Sequence, residues 1–360
     1  MEPRKKLNLR DIIGIVKDKA SISKAVLLSK PNTSHLQLAI LRATNHEPSN
    51  PPDKKQVTVL LSYGHSSRNI ASTCIAALMD RLHNTHNAFV AFKCLITIHY
   101  IINRGSFILQ DQLSVFPSFG GRNYLNFSNF HDKSTSETLN LSFWVRWYAR
   151  VLESLLFTSR NLGFFLYSSV EKDDERVSSL LNQDLLREFD VLVGLIEEIC
   201  RAPELVNIEA NRLVNEAMSF VEEDKCSAQK QIMIRVIELK GRIGLLSFSD
   251  SVELVCVLKR FENCKERLVR VFLNKENSIG DRLWGLVAEL RYMVGQSKQY
   301  CDGRVERKIG VSESARFGDR VLKSNESLKF GSSRFTAILE FGDQMDLFCK
   351  RNSFSGVKTN

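Results

Sequence analysis

Ala88-Phe-Val-Ala-Phe-Lys-Cys-Leu-Ile-Thr-Ile-His-Tyr-Ile-Ile-Asn-Arg-Gly105 is the stretch on which the fold turns. Its apolar residues fall all round a helix rather than along one stripe, which marks a helix buried on every side, and Asn103-Arg104-Gly105 stops it with a glycine cap. Such a helix must be surrounded by others. His99 inside it reads as a satisfied core histidine. Upstream, Ala71, Cys74, Ile75, Leu78 and Leu82 form one stripe of a helix over 70–82, and His83/His86 is a lone HxxH with no nearby acid to complete a metal site. Downstream, Phe107 to Phe119 reads as a short helix ending at Pro117, and residues 122–136 as a polar connection. From Leu141 the apolar residues come in pairs four apart (Phe143/Trp144, Trp147/Tyr148, Val151/Leu152, Leu155/Leu156), a long helix with a broad buried face.

Further out, the pattern stays helical. Residues 171–183 are charged and serine-rich, a loop by composition. Leu185, Leu186, Phe189, Leu192, Val193, Ile196 and Ile199 stripe the next helix, ended at Pro203. No proline follows Pro203. Stripes over 204–222, 227–246 and 251–274 predict long antiparallel helices joined by short turns, and 281–294 predicts one more. No period-2 strand pattern occurs. Residues 303–360, rich in Ser, Gly and charge, read as mostly disordered.

Toward the amino end, Leu9 to Leu28 is an amphipathic basic helix or helix pair, as suited to an ordinary surface as to a membrane surface. Leu36, Leu38, Ile40 and Leu41 read as a short helix capped by Ser34, with Arg42 in its last turn. Three prolines (Pro48, Pro51, Pro52) then turn the chain, and Asp53 can cap a helix through Val57, Leu60 and Leu61. Arg42, His46, Lys54 and Lys55 thus gather near two helix ends, where basic side chains and free backbone N–H groups suit a phosphate.

Composition supports an anionic partner. Residues 1–70 hold twelve Lys/Arg against five acids, seven of the nine surplus positive charges of the 360-residue chain. That surplus suits lipid headgroups, nucleic acid or an acidic protein. The eight cysteines show no CxxC and no metal-ligand spacing, as expected of reduced thiols in a cytosolic protein. No apolar run reaches the length of about 18 residues needed to span a membrane without a polar break. Walker, GxGxxG, GxSxG, HExxH and kinase patterns are all missing. Carboxylate pairs such as Glu197/Glu198 and Glu222/Asp224 read as solvated helix faces. The expectation is a non-enzymatic protein without cofactors.

At Arg42-Ala-Thr-Asn-His46 the chain resembles the AP180 N-terminal homology (ANTH) family, especially the plant clathrin assembly proteins. Further likeness lies in Leu9–Ser23 (LRDIIGIVKDKASIS), Val90–Gly105 (VAFKCLITIHYIINRG), Leu125–Lys133 (LNFSNFHDK) and Ser142–Leu155 (SFWVRWYARVLESL). The resemblance implies an all-α, right-handed superhelical stack of about nine to eleven helices with a partly disordered C-terminal tail. It divides the chain into an ANTH domain over 1–276, with 8–165 the best-matched core and 166–276 a long-helix back half, and a tail over 277–360. It also implies binding to phosphatidylinositol 4,5-bisphosphate and assembly of clathrin during vesicle formation. The partners implied are clathrin heavy chain, an adaptor complex and a synaptobrevin-type SNARE. The places implied are the cytoplasmic faces of coated pits and vesicles, at the Golgi or plasma membrane.

Carried over by residue, Arg42 stands for the family's first phosphate-binding lysine, Pro52 keeps the proline, and Lys54 and Lys55 keep two lysines. Asp53 replaces a lysine and Gln56 a histidine, and the turn is one residue longer. Each basic residue near an anionic surface contributes about 1 kcal/mol, so these departures predict modest headgroup affinity, with Lys5, Lys6, Lys17 and Lys24 compensating if they share the face. In the tail, Asp346-Leu347-Phe348 is the best adaptor-motif candidate, whereas Asp184-Leu185-Leu186 lies on a helix stripe. The rival reading is a helical scaffold for protein partners, such as a SNARE, with little lipid or clathrin role. Nucleic-acid binding is disfavoured, because no exposed aromatics interleave with the basic residues.

Overall fold

A computed structural model describes residues 9–28, 31–48, 50–116, 124–167, 173–204, 211–272 and 278–308. Every regular element among them is helical: α1 (Leu9–Leu28), α2 (Pro31–Ala43), α3 (Lys54–Ser62), α4 (Arg68–His83), α5 (Ala88–Arg104), α6 (Phe107–Ser114), α7 (Ser136–Leu162), α8 (Asp173–Ser178), α9 (Asn182–Ile199), α10 (Arg212–Gly241), α11 (Phe248–Asn263), α12 (Lys265–Val271) and α13 (Ser278–Lys308), with 3-10 turns at Tyr63–His65 and Ile243–Leu245. The fold is all-α, and eleven of these helices have eight or more residues. Contacts divide the chain into two units, Met1–Val294 and Gly295–Asn360; in the second, only the continuation of α13 to Lys308 is described.

The first unit is a succession of neighbours. α1 lies on α2, α2 on α3, α4 on α6, α5 on α7, α7 on α9, and α9 on both α10 and α11. At its middle, every residue of α5 from Ala88 to Ile102 is buried, as the apolar run predicts. Each aliphatic side chain so enclosed contributes about 1.5–3 kcal/mol. His99 is fully buried, with its Nδ1 2.7 Å from Tyr148 Oη on α7 and its Nε2 3.0 Å from Asp224 Oδ2 on α10. It is a core histidine joining three helices.

Gly105 does end α5, but with φ at −66° rather than in the left-handed region. Its value is space: a Cβ there would stand 2.3 Å from the Ile101 carbonyl oxygen. Gly163, ending α7 with φ at 80°, is the left-handed cap.

Several boundaries differ from those expected. α2 starts at Pro31, so Ser34 sits in its first turn instead of capping it; proline suits a first turn because its missing N–H has no partner there. The stretch 171–183, expected as a loop, contains α8, whose first turn carries Asp173, Asp174 and Glu175, anions suited to a helix start. Stripes 204–222 and 227–246 fuse into the 30-residue α10. The charged break between them does not interrupt the helix, because Asp224 and Lys225 are both buried, the first accepting from Tyr167 Oη at 2.8 Å, the second 4.1 Å from the Phe272 ring centre. The stretch 251–274 instead divides into α11 and α12 at Cys264.

Two carboxylates expected on solvated faces are interior. Asp224 is one; Glu198 is the other, shared by Arg150 and Arg201, each at 2.7 Å. Deeper still, Arg235 is fully buried and donates to Glu188, which also accepts from Arg176. A lone buried charge is costly, and each member of this cluster has an opposite partner.

The amino half of α13 packs on the first unit. Leu283, Val287, Leu290 and Val294 are buried, Trp284 stacks on Phe261 with ring centres 4.4 Å apart, Lys240 pairs with Glu289, and Arg291 with Glu262. α13 continues past the predicted 281–294 segment to Lys308, and residues 309–360 lie outside the described residues. Cys74, Cys94, Cys200, Cys226, Cys256 and Cys264 are free thiols.

Candidate functional site

The turn from α2 to α3 is shaped by residues far from it in sequence. Where α2 ends, Thr44 closes its last turn with N–H and Oγ1 both on the Ile40 carbonyl. His46 then points its backbone N–H at Asp18 Oδ2 of α1, 2.7 Å away, and its Nδ1 stands 2.8 Å from Asp18 Oδ1. Arg81 of α4 completes the clamp, donating to Asp18 Oδ1 at 3.1 Å and to the Thr44 carbonyl at 3.1 Å. The close approach of α1 depends on Gly14, since a Cβ there would lie 2.8 Å from His46 Cβ.

Lys93, the lone cation in the buried stretch of α5, reaches the same turn. Its three ammonium hydrogens meet three acceptors: the Asn45 carbonyl at 3.1 Å, Asn45 Oδ1 at 2.6 Å and the Glu47 carbonyl at 2.7 Å. Burial pushes its pKa down to about 8, with Glu47 and Asp18 pulling the other way. For Asp18, burial raises the carboxyl, but the His46 side chain, the His46 N–H and Arg81 outweigh it and hold the group below its ordinary value.

Beyond the clamp, the backbone emerges at α3. Asp53 is the N-cap, in extended conformation, and its carboxylate accepts from the Lys55 N–H at 3.0 Å, as the sequence predicts. Lys54 and Lys55 are exposed on the first turn, and Arg42 is exposed on the last turn of α2. No acid among the described residues pairs with these three. Of the four expected ligands, then, three are solvent-facing cations on two adjoining helix ends. His46 differs: its ring is turned inward onto Asp18, with a side chain only 14% exposed.

The outer face of α1 carries the remaining expected residues. Gly14, Asp18 and Ala25 face inward, while Ile12, Ile13, Val16 and Val26 are 47–59% exposed. On a helix of 3.6 residues per turn, Ile12, Val16 and Ile13 make an outward stripe, with Lys19 on one border and Lys17 and Lys24 on the other, all exposed. An apolar stripe bordered by lysines is the pattern of a helix that lies in a lipid interface.

Sequence reasoning missed the residues that hold the site, Asp18, Arg81 and Lys93. A signal existed for Lys93, because a single lysine in a largely apolar, buried helix requires a cage of acceptors. Asp346, Leu347 and Phe348 lie outside the described residues.

No described helix is long and apolar enough to cross a membrane, and no described cluster of His, Cys, Asp and Glu could hold a metal ion. Comparison with known proteins matches a family model, described as ANTH domain, to residues 35–279. The chain is similar to three Arabidopsis thaliana proteins, each named as a putative clathrin assembly protein. The first is 46% identical over 348 residues, 92% of this chain and 95% of the relative. The second is 34% identical over 300 residues, 78% and 84% of the two chains, and the third 32% identical over 306 residues, 79% and 99%.

Proposed function

This chain belongs to the ANTH-domain family, and we propose that it is a non-enzymatic adaptor that attaches to phosphoinositide membranes and promotes clathrin assembly there. The observation that carries the lipid half is the pair Lys54 and Lys55, exposed and without an acid partner at the amino end of α3, on a turn clamped by Asp18, Arg81 and Lys93. Fixed cations beside backbone N–H groups suit a phosphate headgroup. Arg42 adds a third cation, and the outer face of α1, with Lys17 and Lys24, supplies apolar contact with the interface. His46 serves as a strut. The clathrin half rests on the names of the relatives, with Asp346-Leu347-Phe348 as the coat or adaptor contact and the surfaces of coated pits and vesicles, at the Golgi or plasma membrane, as the place of action.

Asp53 favours a second reading. Its carboxylate already occupies the Lys55 N–H that a phosphate would use, which weakens headgroup binding and leaves a helical scaffold for a protein partner such as a synaptobrevin-type SNARE. Co-sedimentation of the chain with vesicles, with and without phosphatidylinositol 4,5-bisphosphate at matched surface charge, separates the two. Headgroup-specific binding lost in Lys54→Glu/Lys55→Glu supports the adaptor; binding that tracks total charge, or none, supports the scaffold. Pulldown of purified clathrin by the full chain, beside a variant with alanine at 346–348, tests the coat role.

A further inference from the structure

A cleft of about 450 Å³ opens between α7, the end of α9 and α12, on elements other than those of the α2–α3 turn. Its volume falls within the range of about 300–1,000 Å³ usual for ligand sites. Four arginines line it: Arg146 and Arg150 from α7, Arg201 after α9, and Arg267 from α12. Among the described residues, Arg150 and Arg201 share Glu198 as their ion-pair partner. The other two are held by neutral groups, Arg146 donating to the Phe130 carbonyl at 2.7 Å and Arg267 to the Cys200 carbonyl at 2.6 Å. Their positions are therefore fixed by carbonyl oxygens, and among the described residues neither has an ion-pair partner. Burial, together with the nearby Arg150, lowers the Arg146 pKa, a sign that like charges crowd here.

Apart from Glu204, the rest of the wall is apolar. Phe143, half exposed, lies under the Arg146 guanidinium at 4.5 Å, and Trp147, Ala202 and Pro203 continue the surface. We propose that this cleft is a docking site for a short acidic peptide segment of a partner protein, its carboxylates on the Arg146 and Arg267 guanidinium forks and an adjoining aromatic or aliphatic side chain on the Phe143–Pro203 wall. Guanidinium forks match carboxylates in plane and spacing. A polyphosphate headgroup would leave the apolar wall unused and has no donors for Glu198 and Glu204, whereas a peptide has apolar side chains for the first and N–H groups for the second.

The test uses the full chain and a fluorescein-labelled hexapeptide, Asp-Glu-Phe-Glu-Asp-Leu, read by anisotropy. Saturable binding is expected, weakened at least about tenfold in Arg146→Gln/Arg267→Gln and unchanged in Lys54→Glu/Lys55→Glu. The same peptide with Asn and Gln in place of its acids, or with Ala in place of Phe and Leu, is expected to bind several-fold more weakly. Wild-type hydrogen exchange, which needs no variant to fold, should slow at residues 200–204 on peptide addition. No binding, binding indifferent to the arginine pair in a folded variant, no exchange protection at 200–204, or displacement by inositol hexakisphosphate at lower concentration than by unlabelled peptide would each overturn the assignment.

Discussion

Asp18 shows how much one carboxylate can organise. It accepts from the His46 backbone, faces the His46 ring and pairs with Arg81, all while nearly buried. Removing one partner of a buried pair strands the other, so Asp18→Asn should cost about 3 kcal/mol in urea unfolding. The loss should depend on pH with a definite sign. Because the folded carboxyl titrates below its ordinary 3.8, its stabilisation is complete above that value and disappears as pH falls through the lower folded one. Wild-type and Asp18→Asn stabilities should therefore differ fully at neutral pH and converge in acid. Gly14→Ala should also destabilise, since the new Cβ must displace the His46 side chain, whose residue is held on Asp18 by one backbone and one ring hydrogen bond.

At the scale of the element, α3 poses a conflict between helix stability and the proposed headgroup binding. Asp53 caps the helix, and a serine in its place would keep an oxygen for the Lys55 N–H while removing one negative charge. Asp53→Ser should leave the melting temperature nearly unchanged and tighten binding to phosphoinositide vesicles by about fivefold, the equivalent of about 1 kcal/mol per charge. Unaltered vesicle binding would mean that the α3 terminus does not touch the headgroup. This cap was legible from Pro51-Pro52-Asp53 alone, as was α5 from its apolar residues on every side and α7 from its paired spacing, because each is written in neighbouring residues. The fusion of α10 was not. Glu222-Glu223-Asp224-Lys225 has the composition of a break, and only the partners brought by α5, Tyr167 and Phe272 make two of those charges interior. Likewise, the exposed cations of the site could be read directly, whereas the inward turn of His46 depends on α1 and could not.

For the whole molecule, the question is where the stable unit ends. The amino half of α13 buries four aliphatic side chains and stacks Trp284 on Phe261. A chain ending at residue 276 should lose on the order of 5 kcal/mol relative to one ending at 294, a fall in melting temperature of about 10–20 °C. Equal melting temperatures would show that α13 adds nothing to the first unit. The proposed vesicle-binding surface lies at the opposite end of the sequence, so the shorter chain, measured below its melting point, should retain headgroup binding.

The clamp on the α2–α3 turn also sets an order of assembly. Its bonds join residues 28 to 63 positions apart, and contacts of that span cost loop-closure entropy before they return anything. The turn should therefore settle after α4 and α5 have docked, and Asp18→Asn should speed unfolding while leaving the refolding rate nearly unchanged in stopped-flow measurements. A synthetic peptide covering residues 41–56 would contain every basic side chain of the turn and none of the three residues that hold it in shape.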